Sequence, residues 1–179
     1  MLKYIKETIN SIIEGSGSRL KIRNVTMEDL PGLVEIEHQC FPIEEAATKE
    51  AFEKRIHLIP DSFFVAETKG RVVGLVNGPV IERVFITDDL FSDIGPNPLS
   101  GGHQSILGLA VHRDYQNKGI ASALLLQLEK QAKAKKRETI TLTCKEDLIS
   151  FYEKYNYLNN GISNSEHGGV VWYNMVKQL

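Results

Sequence analysis

Cysteine is scarce in this chain: Cys40 and Cys144 are the two among 179 residues. They lie far apart, with no CxxC and no Cys/His cluster around either. Neither a disulfide framework nor a structural metal site is expected in a chain long enough to bury its own core. Both read as reduced thiols of a cytoplasmic protein. An excess of charge is lacking too, 21 Lys and Arg facing 23 Asp and Glu for a net of -2. Without a basic field there is little to hold a phosphate backbone, so nucleic acid is not an expected partner. No apolar run approaches the roughly 20 residues of a membrane span. The start, Met1-Leu2-Lys3-Tyr4-Ile5-Lys6-Glu7, puts charge where a secretory signal keeps its apolar stretch. What is present, 42% hydrophobic and 25% charged residues, is the composition of one ordinary globular domain.

Leu2, Ile5, Ile9, Ile12 and Ile13 fall at helical spacing and predict an amphipathic helix over 2–14 that Gly15-Ser16-Gly17-Ser18 ends. Residues 1–18 are thus expected as helix and linker ahead of a domain over 19–179. The helix packs on that domain, makes a homodimer contact or lies on a membrane surface. Leu20, Ile22 and Val25 suit a first strand, and Thr26-Met27-Glu28-Asp29 a helix start, with the Thr26 hydroxyl available to an amide three residues on. A helix over 44–56 is expected after Phe41-Pro42, with Glu44 and Glu45 in the first turn, where the dipole favours carboxylates.

Residues 63–66 and 72–76 are apolar and flank Lys69-Gly70, a hairpin signal. Residues 82–103, with Gly95, Pro96, Pro98, Gly101 and Gly102, form a loop too long for mere connection, and such loops line sites. Strands over 106–111, 139–144 and 170–173 then alternate with helices over 117–136 and 147–155. The order predicts a mixed α/β fold, with a central, mostly antiparallel sheet of about seven strands and helices on both faces.

One segment carries most of the chemistry. The strand Leu109-Ala110-Val111 runs through His112-Arg113-Asp114-Tyr115 into Gln116-Asn117-Lys118-Gly119-Ile120-Ala121-Ser122, the start of the longest helix. Gly119 has no Cβ, and Ala121 and Ala123 are small, so backbone amides here approach an anion directly with the helix dipole behind them. The reading is a pyrophosphate site with Asn117 as cap and Lys118 as added charge. An ordinary helix start with a surface glycine is the alternative.

The run Gln116-Asn117-Lys118-Gly119-Ile120-Ala121 resembles the Gln/Arg-x-x-Gly-x-Gly/Ala motif of the GNAT superfamily of acetyl-CoA-dependent N-acyltransferases. Stretches such as Cys40-Phe41-Pro42-Ile43-Glu44-Glu45-Ala46, Val76-Asn77-Gly78, Phe151-Tyr152-Glu153-Lys154 and His167-Gly168-Gly169 extend the likeness over 20–177, towards the arylalkylamine N-acetyltransferase-like branch. The resemblance implies the GNAT fold, with a V-shaped splay between strands 4 and 5, acetyl-CoA as co-substrate and no metal. It implies that Leu109, Ala110, Val111, Gln116, Asn117, Lys118, Gly119, Ile120, Ala121 and Ser122 hold the CoA, Leu109 and Val111 through their backbones. An amide near Leu109 then polarises the acyl carbonyl, and Tyr152 protonates the departing sulfur. Gly108 either bulges this strand or relieves crowding within it.

The implied acceptor is a small primary amine, of arylalkylamine or polyamine type, against an aromatic and carboxylate wall of Phe41, Pro42, Glu44 and Glu45. A protein N-terminus or lysine is the alternative acceptor, and a CoA-binding regulatory domain without turnover the alternative class. An alkylamine has a pKa of about 10, so transfer near neutrality needs a base. The branch's His-x-His pair falls on Ser105 and Leu107, neither of which serves. The proton is expected to leave through water or to His103, which is the base if its loop folds inward and a solvated loop residue if not; Glu44, Glu45 and Glu82 are the other acceptors. Cys144 has no evident His partner and is not expected to act as a nucleophile. His167 either belongs to a turn or borders the acceptor pocket. The run Lys133 to Arg137 reads as solvated cations at a helix C-terminus.

Overall fold

The computed structural model describes residues 20–179, so the helix expected over 2–14 and its linker lie outside the described residues. Among the described residues the strands form two sheets. The first has the order β1 (Lys21–Asn24), β2 (Phe63–Thr68), β3 (Arg71–Asn77) and β6 (Gly108–Val111), all antiparallel. The second has the order β4 (Val80–Ile81), β5 (His103–Ile106), β7 (Thr139–Cys144), β9 (Tyr173–Gln178) and β8 (Leu158–Ile162), with β5 and β7 parallel.

The apolar runs of β2 and β3 are continuous rather than alternating because both faces of the first sheet are covered. Phe63, Val65 and Leu75 pack with Leu33, Ile36 and Phe52 from α1 (Leu30–Cys40) and α2 (Lys49–Leu58). Phe64, Ala66, Val73 and Val76 meet Leu124 and Leu128 of α3 (Ile120–Ala134) on the other side. Each fully buried Val, Leu, Ile or Phe among them contributes about 1.5–3 kcal/mol of transfer free energy. The hairpin expected at Lys69-Gly70 forms, both residues taking the positive φ that a tight two-residue turn requires, 52° and 73°.

The strand expected over 106–111 is two strands in two sheets. β5 pairs with β7 as far as Ile106 and Leu142, then Leu107 leaves that ladder and donates its N–H to the Asn77 carbonyl at 2.8 Å, and β6 pairs with β3. Gly78 makes the crossing feasible, since a Cβ there would lie 2.2 Å from the Ser105 carbonyl oxygen. The sheets therefore part between β6 and β7, which is the splay. Gly108 stays in register with Asn77, so the irregularity falls one residue earlier.

Other boundaries differ for local reasons. The helix expected over 44–56 begins at Lys49, because Thr48 Oγ1 accepts from the Ala51 amide at 3.1 Å and caps it. Residues 42–46 form a separate turn closed on the Pro42 carbonyl. The helix start at Thr26 forms as a capping box, in which the Asp29 carboxylate also accepts from the Thr26 amide at 2.8 Å and from its hydroxyl at 3.3 Å. α3 starts at Ile120 rather than 117, and 147–155 divides into a 3-10 turn, Glu146–Leu148, and α4 (Ile149–Glu153). The last strand starts at Tyr173, where its pairing with Cys144 begins. The exposed edge strand β8, Leu-Asn-Asn-Gly-Ile, was not expected.

Candidate active site

Where β6 and β7 separate, a cleft of about 490 Å³ opens between β6, the start of α3 and the Leu148, Phe151 and Tyr152 side chains. The Gln116 side chain donates to the Val111 carbonyl at 3.0 Å, tying the turn to the end of β6. Asn117 and Gly119 both adopt left-handed conformations, φ 59° and 74°, a backbone course that turns amides towards one concave side. α3 has neither a side-chain cap nor an acidic residue in its first turn. The amides of Ile120, Ala121 and Ser122 thus have no intrahelical acceptor, and the positive end of the dipole meets the cleft. Val111 turns its carbonyl away from β3, where it also accepts from Cys40 Sγ at 3.3 Å. By strand alternation Leu109 presents its backbone groups to the same edge. An uncapped helix terminus beside an open strand edge fits the pyrophosphate and amide-rich arm of CoA.

Leu109, Leu148 and Tyr152 also border a second, narrow cavity of about 90 Å³, so the two spaces meet at these side chains. Tyr152 is buried, and that burial, followed by the nearby Cys144, raises its hydroxyl well above the usual tyrosine value, keeping it protonated. Burial, then Asp147, pushes the Cys144 thiol up to about 11, which leaves it without thiolate character near neutrality.

Glu37, Glu45, Phe91, Leu107 and His167 border both this neck and an outer chamber of about 360 Å³ that reaches α2. The His167 ring stacks on Phe91 at 4.0 Å, and its Nε2 lies 3.2 Å from the Glu45 carbonyl. Trp172 Nε1 donates to the His167 carbonyl at 2.7 Å. The Glu45 carboxylate accepts from Lys145 Nζ at 2.7 Å. Glu37 is buried; its Oε1 accepts from the Ala47 amide at 2.8 Å, while its Oε2 has no partner. Burial pushes its pKa up to about 7, against the opposing pull of the Ala47 amide and Arg55. Arg55, brought down to about 10 by burial, donates to Asn77 Oδ1 at 3.1 Å.

The fold gathers Leu109, Ala110, Val111, Gln116, Asn117, Gly119, Ile120, Ala121, Ser122 and Tyr152 around the cleft. Lys118 is not on this wall; its Nζ donates to the Asp114 carbonyl at 2.8 Å and lies 5.1 Å from the centroid of the Tyr115 ring. Phe41 and Glu45 line the neck, whereas Pro42 and Glu44 are exposed outside it. His103 is a correction: neither a loop residue nor near the cleft, it opens β5, buried, 2.9 Å from Thr139 Oγ1. It lines neither the cleft nor the two spaces that adjoin it. Ser105 Oγ donates to the Pro79 carbonyl at 2.6 Å. Sequence reasoning missed Glu37, although its place one turn after Leu33 on the buried stripe of α1 marked it as a carboxylate facing inward.

A strand edge opened by a splay, beside a glycine-led helix terminus, fits a CoA-dependent acyltransferase. The chain belongs to the Acetyltransferase (GNAT) family, whose family model matches residues 30–157; it is an acetyl-CoA-dependent acetyltransferase. An acetyltransferase of Pectobacterium atrosepticum is 29% identical over 142 residues, covering 77% of this chain and 87% of that protein. Among solved structures, the GphF GNAT-like decarboxylase in complex with isobutyryl-CoA superposes with TM-score 0.75 at 17% identity, covering 88% of this chain and 98% of that one. Arabidopsis thaliana Naa50, in complex with the bisubstrate analogue CoA-Ac-MVNAL, superposes with TM-score 0.69 at 17% identity, covering 89% and 99%. At these identities the two structures establish the fold. Among the described residues no helix is long and apolar enough to cross a membrane, and no three His, Cys, Asp or Glu cluster as metal ligands.

Proposed function

We propose that this acetyltransferase moves the acetyl group to the primary amine of a small molecule, of arylalkylamine or polyamine type, by direct attack in the cytoplasm. The observation that carries this reading is the clasp over the neck. Glu45, held by Lys145, meets His167, and His167 stacks on Phe91. The reacting end of the acceptor therefore enters a narrow passage rather than an open groove. Its aromatic walls and the Glu37 carboxylate suit an organic ammonium ion.

In this reading the amine reaches the thioester from the neck while the CoA lies along the cleft. The nitrogen lone pair forms the new C–N bond, and charge moves to the carbonyl oxygen, which accepts from an amide near Leu109. Collapse breaks the C–S bond, and Tyr152, buried and protonated where cleft and neck meet, donates to the sulfur. Cys144 forms no acyl-enzyme, since its thiol stays protonated.

The outer chamber favours a second reading, because about 360 Å³ beyond the neck gives room for the first residues of a polypeptide whose N-terminal amine enters the passage. A panel of phenylethylamine, tryptamine, spermidine and peptides with free N-termini, followed by thiol release from acetyl-CoA, separates the two. Turnover of small amines above peptides is expected. Robust acetylation of peptides with every small amine inert would replace the first reading by the second.

A further inference from the structure

We propose that Glu37 is the base that takes the proton from the acceptor amine. This rests on the small-amine reading. Glu37 and Glu45 are the acidic residues that border the neck, and Glu45 is engaged by Lys145 at 2.7 Å. Glu37 has one oxygen committed, Oε1 to the Ala47 amide at 2.8 Å, and one uncommitted, the buried Oε2. An unpartnered carboxylate oxygen is costly to bury, and an incoming ammonium ion supplies the missing donor.

The other titratable groups of the passage do not compete for this role. Tyr152 and Cys144 are held protonated by burial. Arg55, reaching in from α2, is a cation that binds Asn77. Cys40, on the same helix as Glu37, has its thiol raised by burial and donates to the Val111 carbonyl. His167 is packed against Phe91 with its Nε2 on the Glu45 carbonyl, and Lys54 reaches only the outer chamber, where it pairs with Asp93. Burial of Glu37 without a direct ion pair gives the carboxylate a basicity suited to neutral pH.

The proton balance closes with residues of the passage and water. The ammonium ion gives one proton to Glu37 Oε2, and the freed lone pair forms the C–N bond at the thioester carbon. When the C–S bond breaks, the sulfur takes the Tyr152 proton, and the second proton lost from nitrogen restores Tyr152 through water. Glu37 returns its proton to solvent by the outer chamber. The products are the amide, CoA and one proton.

The test is the pH dependence of kcat/KM for the wild-type enzyme with two small amines of clearly different pKa, beside the Glu37→Gln variant, which keeps an acceptor for the Ala47 amide. A rising limb near pH 7 is expected with both amines. In Glu37→Gln that limb should vanish, with activity at pH 7 down by about 10²–10³-fold and acetyl-CoA affinity by calorimetry unchanged. Carbon-13 NMR of the Glu37 carboxyl should show titration near neutrality, a readout that needs neither turnover nor a folded variant. A wild-type limb that moves with the pKa of the amine, a Glu37→Gln profile like that of the wild type, or a carboxyl titrating in the ordinary range would each overturn the assignment. If every small amine is inert and peptides react, the small-amine reading falls, and the same profiles recorded with a peptide decide Glu37 separately.

Discussion

Replacing Tyr152 by Phe removes one oxygen atom from the point where the cofactor cleft and the neck meet. The ring keeps its edge contacts with Phe151 at 5.1 Å and Tyr157 at 5.6 Å, so the core is preserved. The change in unfolding free energy should stay within about 1 kcal/mol, and acetyl-CoA affinity should be unchanged. Chemistry should suffer far more. Losing a positioned proton donor lowers the rate by about 10²–10⁴-fold, which is about 2.7–5.4 kcal/mol of transition-state stabilisation. Because burial holds the hydroxyl well above the usual tyrosine value, the wild-type profile should show no falling limb from this acid across the ordinary assay range. Single-turnover thiol release isolates the chemical step from product departure. A Tyr152→Phe enzyme that is folded, binds acetyl-CoA and releases thiol at the wild-type rate would refute the role and leave Tyr152 as a packing residue.

Two further outcomes follow from the fold. Gly119→Trp, a side chain placed at φ 74° where α3 begins uncapped, should block the backbone approach and weaken CoA binding in calorimetry by at least about tenfold; unchanged affinity in a folded variant would move the site elsewhere. Asp29→Asn should lower the unfolding free energy in urea at pH 7 by about 2 kcal/mol, because its carboxylate accepts from Arg23 through both oxygens at 2.7 Å. Burial alone would raise the Asp29 carboxyl, but hydrogen bonds from Arg23 and Thr26 hold it below its ordinary value. A carboxyl depressed on folding stabilises above its unfolded pKa of about 3.9 and loses that contribution as the pH falls through the folded value. The wild type and Asp29→Asn should therefore converge in the acid range, and a gap that stays constant with pH would contradict the pairing.

The strand, turn and helix start that wall the cleft were legible in the sequence because their determinants are local. A strand, a turn and a glycine-led helix follow one another within residues 109–122, and the helix start alone orients the amides. The acceptor side is built by contacts between distant segments. The stripe of α1 turns Glu37 inward, but its surroundings come from elsewhere: burial raises its pKa, while the Ala47 amide and Arg55, brought by other segments, pull it back only in part. The division of 106–111 into β5 and β6 depends on Gly78 lying against Ser105, a contact across the sheet. His103 was misplaced because the loop over 82–103 was expected to extend through it, whereas parallel pairing with Thr139 makes it the first residue of β5. The β8 edge, with two Asn, a Gly and all five residues exposed, carries no alternation; β9 holds it in place through backbone pairing.

Direct transfer through a shared point at Tyr152 and Leu109 is the central claim, and two-substrate kinetics tests it most directly. Initial rates measured with acetyl-CoA and a turned-over small amine varied together should give intersecting reciprocal plots, with intact-mass spectra of enzyme and acetyl-CoA alone showing no acetylated protein. Parallel plots, with an acetyl group trapped on Cys144, would contradict the account.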